Sequence, residues 1–240
     1  MTTYQSKQQK ESWTPVRKPA EIVESRLIEG ILNGTFQPDS HLPGERELSE
    51  SLGVTRPTLR EALQRLARDG WVEIHQGKPT RVCNYLQEGN LGVLNALSER
   101  PEHLPEDFVS DLLSARLAMA PMYTAQAIKR APDALLNVLE EREVLHDSPE
   151  SFAQFDWRLH HQLTILSGNP VFVMILNGFK DLYLNLAPAY FAITEARQHS
   201  QFFYEELVKA TKNEDAYRAQ TLTESIMRDS LTFWEQTELA

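Results

Sequence analysis

The chain has 240 residues, room for one large domain or two ordinary ones that bury a core unaided, and its single Cys83 excludes an intramolecular disulfide framework and fits a reducing cytosol. Residues 171–176 form an apolar run of six, far short of the roughly 18 needed to cross a bilayer, so no membrane segment is expected. The net charge of -10 is unevenly spread: residues 1–90 hold 12 of the 24 Lys and Arg and 12 of the 34 Asp and Glu, so residues 91–240 carry the whole deficit.

The first 18 residues, MTTYQSKQQKESWTPVRK, are polar and lack the apolar centre of a secretory signal. They read as a disordered lead-in to a cytoplasmic protein. After Pro19, AEIVESRLIEGILNG places Val23, Leu27 and Ile31 at i, i+4 and i+8, with Ile28 and Leu32 widening the stripe and Gly34 as a stop. That spacing predicts one amphipathic helix. PGERELSESLG pairs Leu48 with Leu52 and ends on Gly53, a left-handed cap, which predicts a second, short helix. Thr55 then offers an N-cap hydroxyl to RPTLREALQRLARDG, whose Leu59, Ala62, Leu63 and Leu66 share one face.

Two helices separated by Gly-Val-Thr form a helix-turn-helix candidate. On the third helix, Arg60, Gln64 and Arg68 make a row opposite the leucines, with Arg56 and Thr58 at its N-terminal end. In docked helix-turn-helix proteins that end enters the major groove, where Arg bonds both guanine acceptors. Taken singly, each Arg also fits an ordinary solvated surface charge. Residues 55–81 hold six basic and three acidic residues, the excess needed to meet phosphates. WVEIHQGKPTRV alternates around Gly77, with Val72 and Ile74 before and Val82 after, and predicts a β-hairpin wing with Lys78 at its tip. The fold expected is mostly α: a winged helix-turn-helix over residues 19–83, a linker at 84–92, and a helical domain over 93–240.

LPGERELSESLGVTRPTLREALQRLARDGW, followed by GKPTRV, resembles the DNA-binding domain of the GntR family. The likeness continues through Ser167, Gly168, Asn169 and Pro170, LNGFKDLY, AYF and Trp234, and there resembles the FadR subfamily, acyl-CoA-responsive regulators of fatty-acid metabolism. The resemblance implies operator contacts by Arg46, Thr55, Arg56, Thr58, Arg60, Gly77 and Lys78. Pro57 stands where the family pattern has Thr, and Gln76 where it has His; Pro suits a first helical turn, and Gln can still donate and accept. The partners it implies are a double-stranded palindromic operator, a second copy of the chain, and long-chain acyl-CoA as effector, with no cofactor. The implied action represses fatty-acid degradation and activates unsaturated fatty-acid synthesis.

From Leu91 onward apolar residues recur at helical spacing, which predicts an all-α bundle. Phe108, Leu112, Ala115, Met119 and Met122 form one stripe, and Phe152, Phe155, Leu159, Leu163 and Leu166 a second. A third runs Phe172, Leu176, Phe179, Tyr183, Leu186 and Tyr190, and a fourth Leu222, Ile226, Ser230 and Phe233. Such stripes are usually core, but hydroxyls on them need partners, and they suit a cavity that holds an acyl chain and orients its thioester. The resemblance assigns Arg116, Tyr183, Tyr190, Ser230 and Trp234 to that pocket. Met227 stands where the pattern has Gly, a change that narrows the cavity or redirects entry.

Asp156 and His160 at i, i+4, beside His161, could begin a metal site. The wider family completes such a set with two later His, and this chain has Glu205 and Arg228 at the corresponding positions. A helix-surface or bundle-edge ion pair is therefore the preferred reading, and no metal is expected. Two rivals stand beside the acyl-CoA regulator: a GntR-type sensor of a small organic acid held through a metal, and a metal-dependent hydrolase fused to a DNA-binding domain. Against the enzyme, the chain has no nucleophile elbow, HExxH or phosphate loop.

Overall fold

A computed structural model describes residues 18–238, with side chains as far as residue 234; the expected lead-in over residues 1–17 lies outside the described residues. The chain divides into two compact units, Met1–Glu88 and Gly89–Ala240. No described helix is long and apolar enough to cross a membrane.

In the first unit α1 (Pro19–Leu32) begins on Pro and buries Val23, Leu27, Ile28 and Ile31. α2 (Glu45–Leu52) ends where Gly53 turns left-handed at φ 68°, and α3 (Arg56–Asp69) ends likewise at Gly70, φ 91°. Pro57 lies in the first turn of α3, where its missing N–H has no helical partner to lose. α1 and α2 pack on α3, whose Leu59, Ala62, Leu63 and Leu66 are fully enclosed.

The wing is smaller than its alternating pattern predicts. β1 (Val72–Glu73) and β2 (Arg81–Val82) pair antiparallel over two residues each, Val72 opposite Val82 and Glu73 opposite Arg81. Ile74, expected in the strand, is outside it and exposed. Arg81 fixes the base of the hairpin, with nitrogens 2.9 Å from Asp39, 2.9 Å from Glu73 and 2.6 Å from Glu88. Glu88 closes α4 (Tyr85–Glu88), whose Tyr85 ring packs 4.9 Å from Trp71.

The second unit is entirely helical among the described residues: α5 (Gly92–Ser98), α6 (Phe108–Arg130), α7 (Pro132–Glu140), α8 (Pro149–Ser167), α9 (Pro170–Gly178), α10 (Lys180–Phe191), α11 (Thr194–Lys212) and α12 (Ala216–Glu238). α6 lies along α12 and α8, α10 packs on α8, and α11 on α12. The Phe152-to-Leu163 stripe of α8 is core as its spacing predicts. The α6 stripe is turned away from the position its spacing suggests: Met122 is exposed, and the enclosed row runs Ala120, Tyr123, Thr124, Ala127 and Ile128. That helix carries apolar residues on more than one face, so periodicity alone cannot choose between them. The third stripe is shared by two helices, α9 and α10, which meet at Phe179.

Candidate functional site

In the first unit the residues expected to meet DNA are exposed, except Thr58, which is half-buried. Thr55 caps α3, its Oγ1 accepting from the Thr58 N–H at 3.4 Å and lying 2.9 Å from the Thr58 hydroxyl. Arg56, the first residue of α3, is exposed. Arg46, on the first turn of α2, pairs with Glu50 at 3.0 Å. Gly77 takes φ 74° in the wing turn, a conformation that disfavours any residue with a Cβ. The Lys78 N–H reaches back to the His75 carbonyl at 3.3 Å. Arg60, Gln76, Gly77 and Lys78 come together on one cleft between α2, α3 and the wing, with Glu45 and Gln64 beside them and Leu48 and Leu63 as floor. Arg46, Thr55, Arg56 and Thr58 do not line that cleft and lie toward the helix starts.

The basic excess of residues 55–81 is thinner in space than in sequence. Arg65 sits among Glu21, Glu24 and Glu61, and Arg81 among three carboxylates. Arg68 pairs with Asp69 at 2.9 Å. The cations of this stretch left most open to DNA are therefore Arg56 and Lys78.

In the second unit Arg116, Tyr183, Tyr190, Ser230 and Trp234 line a single cavity of about 50 Å³, drawn from α6, α10 and α12. Its other walls include Leu113, Leu186, Phe203, Ile226 and Met227. The Tyr190 hydroxyl donates to Ser230 Oγ at 3.1 Å, and the Ser230 hydroxyl to the Ile226 carbonyl at 2.9 Å. Met227, 4 % exposed, occupies wall volume that Gly would leave open.

Asp156 also faces this cavity, and in place of the helix-surface or bundle-edge ion pair expected with His160 both residues are buried, Asp156 5 % exposed and His160 1 %. One carboxylate oxygen accepts from Arg116 at 3.0 Å and Tyr183 at 2.6 Å, the other from Tyr204 at 3.0 Å. His160 Nε2 is 3.8 Å away, too far for a hydrogen bond, so the carboxylate's salt-bridge partner is Arg116. The guanidinium also lies over the Tyr183 ring, 5.0 Å from its centre. Burial raises the Asp156 pKa, but His160, Arg116 and the two tyrosine hydroxyls bring it below the usual carboxylate range. Because His160 is itself neutral at pH 7, Arg116 supplies the opposing charge there.

Burial and the Arg116 charge push the His160 pKa down to about 4, with Asp156 opposing. Its Nδ1 lies 2.7 Å from the Tyr123 hydroxyl, which fits a neutral ring accepting from tyrosine. The unfolded chain takes up this proton near pH 6.5 and the folded chain near 4. The unfolded state thus binds more protons between those values, so stability falls as pH drops through the window, by on the order of 3 kcal/mol across it. Urea unfolding at pH 7 and 4.5 is expected to show a smaller acid loss in His160→Gln than in the parent; equal losses contradict the buried neutral ring.

The donor set does not suit a metal ion. Both Asp156 oxygens already accept from cationic or hydroxyl donors, and Arg116 occupies the place of a cation. Glu205 and Arg228 are exposed, the latter paired with Glu224 at 2.7 Å. Tyr204, which holds Asp156 from outside the cavity lining, and Phe203, which lines it, are not named by the sequence. Their signal is the row Ser200, Phe203, Tyr204 and Leu207, all buried on one face of α11.

Residues 19–82 match the model of bacterial regulatory proteins of the gntR family, and residues 83–240 match the FadR C-terminal domain. A fatty acid metabolism regulator protein of Shewanella sp. (strain MR-7) is 44% identical over 219 residues, 91% of this chain and 90% of its own. That of Shewanella amazonensis is 42% identical, over 91% of each chain. The solved structure of Lar, which controls the expression of the Listeria monocytogenes agr system, has a similar fold at TM-score 0.60 and 18% identity, covering 93% of this chain and 99% of that one.

Proposed function

Since the chain belongs to the GntR family of bacterial regulatory proteins and carries a FadR C-terminal domain, we propose that it regulates fatty-acid metabolism as a dimer on a palindromic operator and is released from DNA by long-chain acyl-CoA. It works in the cytoplasm, repressing fatty-acid degradation and activating unsaturated fatty-acid synthesis.

The observation that carries the ligand half is the cavity in the helical unit. Apolar walls from Leu113, Leu186, Phe203 and Ile226 suit an alkyl chain, and the hydroxyls of Tyr183, Tyr190 and Ser230 suit a thioester. At about 50 Å³ the cavity holds only a few waters. A long chain therefore enters by moving wall side chains, and Arg116, Asp156 and Tyr183 are among those walls. Binding and disruption of the Asp156 cluster become one event. A ligand that fits only the rearranged bundle favours that state by the difference in affinity, which is what coupling to DNA requires. The test is thermal: palmitoyl-CoA at 100 times its Kd stabilises the fold by about 2.7 kcal/mol, and free CoA at the same concentration leaves the midpoint unchanged. Equal midpoints with both compounds reject the acyl chain as the recognised group.

The DNA half rests on Thr55, Arg56 and Thr58 at the start of α3 and on the wing tip. One recognition helix reads only a few base pairs, so two-fold pairing on a pseudo-palindrome supplies the rest of the site. Arg56→Ala is expected to relax preference at one base pair per half-site and cost about 1–3 kcal/mol. Lys78→Ala is expected to weaken all duplexes alike and lower the salt slope by about one per protomer. Binding isotherms on matched and scrambled duplexes at several salt concentrations separate the two; equal losses on every duplex for both variants remove the assignment.

A further inference from the structure

We propose that Glu45 is a positioning residue for sequence readout: it takes the side-on edge of the Arg60 guanidinium and leaves the end-on edge to a guanine. The inference rests on the reading above that Arg60 faces DNA. Arg60 Nε and one terminal nitrogen both stand 2.8 Å from the same Glu45 oxygen. Those two nitrogens form one edge of the planar fork, and the edge between the two terminal nitrogens carries the parallel N–H pair that matches guanine O6 and N7. The link joins the first residue of α2 to α3, so it ties the two helices of the helix-turn-helix through the reading side chain itself.

The other expected reader with a carboxylate partner differs. Arg46 pairs with Glu50 one turn along its own helix, both side chains more than two-thirds exposed, a pair that moves with a single helix. Arg60 and Glu45 are 65% and 38% exposed and lie on the cleft shared with Gln76, Gly77 and Lys78. An exposed pair adds little to folding. What it changes is the conformational freedom of a long side chain that must otherwise be ordered on DNA. The Glu45 carboxylate also repels phosphates, so it weakens attraction to every duplex while sharpening the response to one.

The experiment selects bound sequences from a randomised duplex pool with the full-length protein and its Glu45→Gln, Arg60→Ala and double variants, each checked for its melting midpoint. Arg60→Ala and Glu45→Gln are expected to flatten preference at the same base pair in each half-site, Glu45→Gln by about tenfold. Glu45→Gln should bind the unselected pool at least as tightly as the parent, and should add nothing once Arg60 is gone. If Arg60→Ala flattens that position and Glu45→Gln does not, the positioning role fails while the Arg60 reading stands. If Glu45→Gln alters preference in the Arg60→Ala background, Glu45 reads a base itself and the inference is overturned. An equal loss on all sequences with a lowered midpoint assigns Glu45 to support of α2 and also overturns it. If Arg60→Ala changes no position, both the reading and the inference fall.

Discussion

Asp156→Ala is expected to destabilise the helical domain by about 3–5 kcal/mol, because it leaves the Arg116 charge buried without its carboxylate. The Arg116 side chain is 12% exposed, and its nearest carboxylate, 3.0 Å away, is the one removed. The same change takes the acceptor from the Tyr183 and Tyr204 hydroxyls, each bonded to Asp156. Replacing Arg116 and Asp156 together by Leu is expected to recover much of the loss, since an apolar pair avoids the desolvation of both charges. Urea unfolding of the single and double variants measures this directly. A single-variant loss below about 1 kcal/mol would mean that the pair behaves as an exposed one. The cluster therefore does little to raise net stability; what it does is tie α6, α8, α10 and α11 together through one carboxylate at the cavity wall.

The recognition half was legible because its signals are local. Gly53, Thr55 and Gly70 each mark a helix end by backbone preference, and the leucines between them allow one packing face. The wing was overread because alternation in WVEIHQGKPTRV continues through a turn that leaves Ile74 exposed and only two residues in each strand. Charge was overread for a different reason. Arg65 and Arg81 find carboxylates on distant segments, Glu21, Glu24 and Asp39, that a local count does not join to them.

The cavity was legible in part. The hydroxyls of Tyr183, Tyr190 and Ser230 interrupt apolar stripes, and the spacing flags them without showing what they face. Asp156 stands among Phe152, Phe155 and Leu159 on α8, and a carboxylate on an apolar face signals a buried partner. Spacing named the nearest candidate, His160 at i+4, whereas the folded chain brings Arg116 from 40 residues away. Pairings at that separation are set by how helices cross, which no single helical period encodes.

Long-chain acyl-CoA is expected to lower operator affinity about a hundredfold, which requires about 2.7 kcal/mol of coupling. Each buried methylene contributes roughly 0.8 kcal/mol, so eight further carbons gain about 6 kcal/mol if the opened cavity takes them all. Only the part that distinguishes two protein states would reach DNA, and a cavity of about 50 Å³ requires wall side chains to move before a long chain fits. Met227 is buried in the wall of the cavity. Met227→Ala is therefore expected to cost about 2–5 kcal/mol of stability and to shift the most potent acyl-CoA to a longer chain; an unchanged chain-length optimum places Met227 outside the ligand's path.

The most direct measurement is operator binding titrated with C8, C12, C16 and C18 acyl-CoAs beside free CoA, for the parent and for Ser230→Tyr. Potency is expected to rise with chain length until the cavity is full, with no release by free CoA. Ser230→Tyr should respond weakly while binding DNA normally without ligand. Release by none of the acyl-CoAs, or equal release by free CoA, would contradict the account.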